Sequence, residues 1–235
     1  MAKKESIRIA IRADGGDAVG LGHLSRCVSL AKALARHAAG AMIQFWCRDS
    51  AAAAQFLSRE GYDVNFIQTP EKESRTKKEL EEFSPDVLII DLAEHVPDLA
   101  FKDWTLIERD YSAEIAPAGR LSVQLDDFAI GVFPSDIVVN GGIVTRYTSY
   151  DPGNTAEIFA GPSYTLMRPE FAVSHQKIRR LSRRVENILI VDSGHRFTRL
   201  VPRFCYAIEK LIESPKITLV SRAYHENPNR MSSAL

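Results

Sequence analysis

The stretch Asp14-Gly-Gly-Asp-Ala-Val-Gly-Leu-Gly-His-Leu-Ser-Arg26 brings glycines, a histidine and an arginine together at a spacing suited to work on a bound small molecule. It lies between an apolar run (7–13) and a run of helical period that begins at Leu24. That is the carboxyl edge of a strand, where open α/β sheets bind ligands. Gly20 and Gly22 would let a ligand approach the backbone, and free amides at the helix start would face an anion such as a diphosphate, or a sugar oxygen. His23 sits at the helix N-terminus, where the positive end of the dipole favours the neutral imidazole, the form that accepts a proton as a general base. Arg26, three residues on, is expected on an adjacent helix face, where it would hold a carboxylate or phosphate. The plain alternative is a glycine-rich turn with a capping histidine. The glycine spacing is not the dinucleotide-binding fingerprint.

Other chemistry-bearing residues are weaker. Asp126-Asp127 would accept substrate hydroxyls, or equally would accept backbone amides at a strand-end turn; they do not read as a metal pair. Asn140-Gly141-Gly142 lines a cleft or forms a plain loop. His195 falls in a strand-to-helix turn. His37, His95, His175 and His225 have no companions at metal-ligand spacing, so no metal site is expected. Cys27 fits the buried stripe of a helix and reads as core.

The elements that must position these residues alternate. Strands are predicted at 7–13, 41–47, 64–68 and 86–91, with short strands or core segments at 104–108, 121–125 and 137–139. Leu24, Cys27, Val28, Ala31, Leu34 and Ala35 predict an amphipathic helix to about His37. A second helix runs from Ser50 to about Glu60 and is stopped by Gly61. Residues 71–83 form a charged helix or a mobile loop. The run Asp86-Val-Leu-Ile-Ile-Asp91 has the continuous apolarity of a parallel strand covered on both faces. The pattern is doubly wound α/β. A basic stretch (172–187) carrying Lys177, Arg179, Arg180, Arg183 and Arg184 reads as a solvated interdomain linker, with a phosphate-binding patch as the other reading. Residues 188–235 supply a strand (188–191), a helix (200–212) and a strand (217–220). Two parallel strands and one helix cannot bury both sheet faces, so this fragment is expected to dock on the first domain, pair with another chain, or belong to a longer ancestor.

Composition excludes several classes. Thirty basic residues balance thirty acidic ones, so no surplus of positive charge steers the chain to nucleic acid or anionic lipid. Three widely spaced cysteines without a C-x-x-C argue against a disulfide framework or a zinc cage and for a reducing, cytoplasmic setting. Two arginines interrupt the first apolar run, and no segment reaches the roughly 18 apolar residues of a membrane span.

Taken in order, several segments resemble the UDP-2,4-diacetamido-2,4,6-trideoxy-β-L-altropyranose hydrolases of pseudaminic acid biosynthesis. They are Arg12-Ala13-Asp14, the G-x-G-H-x-x-R segment from Gly20 to Arg26, the strand ending in Asp91, Val123-Gln-Leu-Asp-Asp127, Ser135-Asp-Ile-Val-Val-Asn140 and Gly161-Pro-Ser-Tyr-Thr-Leu-Met-Arg-Pro-Glu-Phe171. The resemblance covers most of residues 7–171. It implies a GT-B-like α/β fold: one complete Rossmann-like parallel-sheet domain (1–171), the linker (172–187) and a partial second domain (188–235) that would carry the nucleotide side. It implies cleavage of a UDP-linked sugar by water with His23 as base, no metal or cofactor, and Asp14, Gly20, Gly22, Arg26, Asp91, Asp126, Asp127 and Asn140 at the substrate. Two other readings stay open: a glycosyltransferase on the same scaffold, and a catalytically silent sugar-binding or partner subunit. The expected partner is a small nucleotide-sugar, with a second copy or a separate C-terminal chain as further candidates.

Overall fold

The computed structural model describes residues 6–16, 20–67, 73–92, 110–174, 176, 178, 183–192, 200–212 and 215–221. The chain divides into two compact units, residues 1–176 and 177–235.

The first unit is built on seven strands: β1 (Arg8–Ala13), β2 (Met42–Arg48), β3 (Val64–Ile67), β4 (Val87–Asp91), β5 (Leu121–Leu125), β6 (Ile137–Asn140) and β7 (Glu157–Ala160). Their order across the sheet is β3-β2-β1-β4-β5-β6-β7, and every neighbouring pair is parallel. Side chains alternate between the faces of each strand, so a sheet covered on both sides must be apolar on both. Ile9, Ile11, Ala13, Phe45, Cys47 and Ile89 point to one face. There they meet Leu24, Cys27, Val28 and Ala31 of helix α1 (Gly22–His37) and Ala53 and Leu57 of α2 (Ala51–Arg59). Ala10, Trp46, Leu88 and Ile90 point to the other face, against Leu80 and Phe83 of α3 (Glu73–Phe83) and Tyr111 and Ile115 of α4 (110–115). Each fully buried Leu or Ile contributes roughly 1.5–3 kcal/mol.

Local chemistry sets the helix ends. The Ser50 hydroxyl accepts the Ala53 amide at the start of α2, and Gly61 (φ +81°) stops it with Tyr62 donating back to the Leu57 carbonyl. The charged segment 71–83 is helical from Glu73, with Arg75–Glu79 (2.8 Å) and Lys78–Glu82 (3.8 Å) paired one turn apart. It ends at Ser84, in the left-handed region at φ +50°. Two elements go beyond the sequence reading. Strand β7 is only four residues long and follows the turn Asp151-Pro-Gly-Asn154, and α4 lies where no clear period was visible. The candidate strand at 104–108 lies outside the described residues. A short helix, α5 (Pro169–Ser174), takes up the first residues of the expected linker. Of the linker arginines, Arg183 and Arg184 are described and exposed.

In the second unit β8 (Asn187–Asp192) pairs in parallel with β9 (Lys216–Ser221), joined through α6 (Val201–Leu211). Ile188, Ile190, Ile217 and Leu219 are half-buried on one sheet face. On the opposite face Leu189, Val191 and Val220 are 64%, 69% and 56% exposed. Among the described residues no helix is long and apolar enough to cross a membrane.

Candidate functional site

The connection leaving β1 leads to β2 on one side, whereas that leaving β4 leads to β5 on the other. A crevice therefore opens beyond the carboxyl ends of β1 and β4, the switch point of an open parallel sheet. Asp91 is the last residue of β4 and shares the strand face of Val87 and Ile89, which is the face covered by α1. His23, Arg26 and Cys27 are spaced i, i+3, i+4 on α1 and so share one side of the helix. Helix and strand together carry all three onto one carboxylate.

His23 Nδ1 lies 2.7 Å from Asp91 Oδ1. Arg26 donates from Nε to Asp91 Oδ2 (2.6 Å) and from Nη2 to Asp91 Oδ1 (2.5 Å). Cys27 Sγ donates to Asp91 Oδ2 at 3.2 Å. Arg26 is thus on the same side of the helix as His23, where the sequence had suggested an adjacent face. Burial alone would push the Asp91 carboxyl up, but hydrogen bonds from Arg26 and His23, and their charge, outweigh it and hold the group at about 2. Burial, then the charge of Asp91, pushes the Cys27 thiol well above its ordinary range, so it stays a neutral donor. An ionised carboxylate can only accept. Facing that carboxylate, Nδ1 carries the hydrogen, and in the neutral ring the lone pair is then on Nε2; Arg26 Nη2 also lies 3.1 Å from Nδ1. The His23 side chain keeps 22% of its surface exposed while that of Asp91 has none.

The third arm of Arg26 reaches outward, Nη1 donating to Asp127 Oδ1 at 2.6 Å. Arg26 and Asp127 line an open cavity of about 290 Å³ beyond the ends of β5 and β6, together with Leu125, Val139, Gly141 and Tyr164. Its wall depends on a close approach of two backbones. A Cβ on Gly141 would stand 2.5 Å from Thr165 Cα, and Thr165 Oγ1 donates to the Gly141 carbonyl at 2.7 Å. His23 is not a wall residue; Arg26, one turn along the helix, joins it to the cavity.

The two adjacent carboxylates differ. Asp126 accepts from the amides of Phe128 (3.1 Å) and Ala129 (2.8 Å), from Asn140 Nδ2 (2.9 Å) and from the Tyr150 hydroxyl (2.6 Å). Asn140, fully buried, also accepts the Gly142 amide through Oδ1 (2.8 Å). Asp126 and Asn140 thus hold the turn, and Asp127, with its side chain 42% exposed, faces the cavity.

Asp14 lies apart from this cluster. It forms a buried two-pronged pair with Arg12 (2.5 and 2.9 Å) and accepts the Arg48 amide (2.9 Å). Arg12 Nε in turn donates to the Tyr111 hydroxyl (3.1 Å). This network locks the ends of β1 and β2 at the crevice floor. Gly20 adopts φ +76° and exchanges two backbone hydrogen bonds with Gly16 (2.9 and 2.8 Å), pinching the loop that delivers Gly22 to the first position of α1. His195 lies outside the described residues. Sequence reasoning passed over Tyr111, Tyr150 and the donor role of Cys27. Cys27 read as core and the two tyrosines carried no signal, because the partners of all three lie far away in the sequence. Among the described residues no three His, Cys, Asp or Glu side chains converge as a metal-ligand set.

No family model matches the chain. It is 27% identical over 220 residues to an uncharacterised protein of Methanocaldococcus jannaschii, covering 89% of this chain and 41% of that one. It is 26% identical over 188 residues to the spore coat polysaccharide biosynthesis protein SpsG of Bacillus subtilis, covering 80% and 51%. The chain thus spans about half the length of these curated relatives. Among solved structures it superposes on MurG of Acinetobacter baumannii with TM-score 0.56 at 12% identity, covering 96% of this chain and 63% of that one. For the calicheamicin glycosyltransferase CalG4 the values are 0.53 and 12%, covering 97% and 68%. At such identities the likeness speaks to architecture, and it shows the fold to be GT-B-like, with one complete Rossmann-like parallel-sheet domain and part of a second.

Proposed function

We propose that the protein acts on a nucleotide-linked sugar, hydrolysing a UDP-linked diacetamido-trideoxy sugar of the nonulosonate (pseudaminic acid) type to the free sugar and UDP. The observation that carries this reading is the 2.7 Å contact between His23 Nδ1 and the buried, ionised Asp91. With Nδ1 turned to that carboxylate, the neutral ring would offer Nε2 as the proton acceptor. In the proposed step a water oxygen bonds to the anomeric carbon as its proton passes to His23 Nε2. The bond from that carbon to the diphosphate oxygen breaks, and the electron pair leaves with UDP. The diphosphate is a competent leaving group, so the protein's work is to align water and sugar. Attack opposite the leaving group inverts the anomeric centre. Support also comes from Arg26, which ties the base to a cavity of sugar size, and from the ordered motif series through residues 7–171.

The test is incubation with the UDP-linked sugar in water without any acceptor, following both anomers and UDP by NMR. Release of inverted free sugar, lost by ~2–4 powers of ten in His23→Ala, is the expected result. Turnover that requires an added acceptor makes the protein a transferase instead, and turnover unchanged in His23→Ala removes the base.

A further inference from the structure

The cavity beside His23 is read naturally as a place for phosphate, because an arginine lines it. The charges argue otherwise. Arg26 donates from Nε and Nη2 to the buried Asp91 and from Nη1 to Asp127, and Asp126 is a second carboxylate beside Asp127 in the cavity wall. One guanidinium among three carboxylates leaves negative charge in excess, and a phosphate entering there meets like charge at short range. The acceptors, by contrast, are unevenly used. Asp126 is taken up by two amides, an amide side chain and a phenol. Asp127 makes a hydrogen bond through Oδ1 alone, to Arg26, and among the described residues its Oδ2 has no donor. That oxygen lies on a half-exposed side chain at the cavity wall. The remaining walls are apolar at Leu125, Val139 and Tyr164, and the volume of about 290 Å³ is at the small end of ligand sites.

We propose that Asp127 is a specificity-determining acceptor: the cavity takes one uncharged sugar ring, a ring hydroxyl or amide N–H donates to Asp127 Oδ2, and phosphate or carboxylate is excluded. Arg26 then acts as a brace between Asp127 and Asp91 and is not a ligand for anions. The inference rests on the nucleotide-sugar reading for the identity of the ring, and it places the diphosphate outside this cavity.

Two probes separate the possibilities by NMR titration of the intact chain, N-acetylglucosamine and inorganic phosphate, read at the Arg26 Nε–H resonance and the amides of Gly141 and Gly142. In the wild type the sugar is expected to shift these signals and phosphate to leave them unmoved. In Asp127→Asn the sugar should bind about five- to tenfold more weakly, since a charge-assisted hydrogen bond becomes a neutral one, while phosphate should now shift Arg26. A gain of phosphate binding cannot come from unfolding, and the exposed position of Asp127 leaves the core intact. Phosphate shifting Arg26 in the wild type overturns the proposal. So does a wild type that shows no sugar shift, or a variant that behaves like the wild type toward both probes. Because neither probe is turned over, sugar selectivity without hydrolysis would end the hydrolase reading and leave the role of Asp127 standing.

Discussion

His23 and Asp91 stand 68 positions apart in the chain and meet at 2.7 Å, because β1 and β4 are neighbours and α1 packs over the face to which Asp91 points. Asp91→Asn is the direct probe of that pairing. An amide can donate to Nδ1, which would favour the tautomer with hydrogen on Nε2 and remove the lone pair from the water side. Turnover of the UDP-linked sugar is expected to fall by ~10²–10⁴, the scale on which a wrong histidine tautomer costs a hydrolase. Nitrogen NMR of His23 checks the cause independently of activity: Nδ1 should carry the hydrogen in the wild type and Nε2 in the variant.

Acid stability follows from the same carboxylate. The folded-state value of Asp91, about 2, lies below the ordinary carboxylate value. Its contribution is fully present above that ordinary value, near pH 4, and is lost as pH falls toward 2. Linkage makes it roughly 2 kcal/mol. Asp14, lowered by Arg12 against its burial, adds in the same direction. Urea midpoints should be flat from pH 7 to 5 and drop below pH 4, and Asp91→Asn should flatten the acid limb while lowering the plateau.

Gly141→Ala should close the cavity. The new methyl would sit 2.5 Å from Thr165 Cα and 2.8 Å from Thr165 N, and backbone, unlike a side-chain tip, cannot swing aside. Overpacking of this kind costs about 1–3 kcal/mol. A lower melting temperature should accompany loss of sugar binding, whereas Gly22→Ala, where an added Cβ meets nothing within 4 Å, should leave stability nearly unchanged.

Ser84→Gly should stabilise the protein. Ser84 is exposed and holds φ +50° where its amide closes α3 onto the Leu80 carbonyl (2.8 Å). A left-handed L-residue costs on the order of 1 kcal/mol that glycine largely avoids. Calorimetry should show the melting temperature rising by ~2–4 °C for a unit of this size.

Arg12→Lys should be costly although it keeps the charge. The planar fork that meets Asp14 at two points and the Tyr111 hydroxyl at a third has no equivalent in an ammonium group. A buried carboxylate left short of donors costs about 3–5 kcal/mol, readable as a shift in the urea midpoint.

The doubly wound layout was legible because period and punctuation agree: Val87–Ile90 is apolar throughout, α1 repeats its apolar stripe, and Gly61 ends α2. Strand β7 was not, since four residues carry too little pattern to stand out from the turn before them. At the site the glycine–histidine–arginine spacing pointed to the loop that the fold brings to the switch point, but not to how its side chains divide. Asp126 and Asp127 are the same residue type side by side, and only the fold decides that Asn140 and Tyr150 saturate one while the other faces open space. Arg26 is the sharper case. From the sequence it is a cation looking for a carboxylate or phosphate, and only the fold brings Asp91 at the end of β4 and Asp127 just beyond β5 to neutralise it.

The central place of β1 also bears on how the chain acquires this site. Ile9 pairs with Ile43 on one side and Val87 on the other, so this strand is completed only when β4, made after it, arrives. Closing so long a loop carries an entropic penalty before any contact rewards it, and parallel pairings of this kind fold slowly. On a ribosome β1, α1 and β2 can assemble early, yet His23 has no carboxylate beside it until Asp91 has left the exit tunnel. The His23–Asp91 pairing is therefore a late event in the life of the nascent chain.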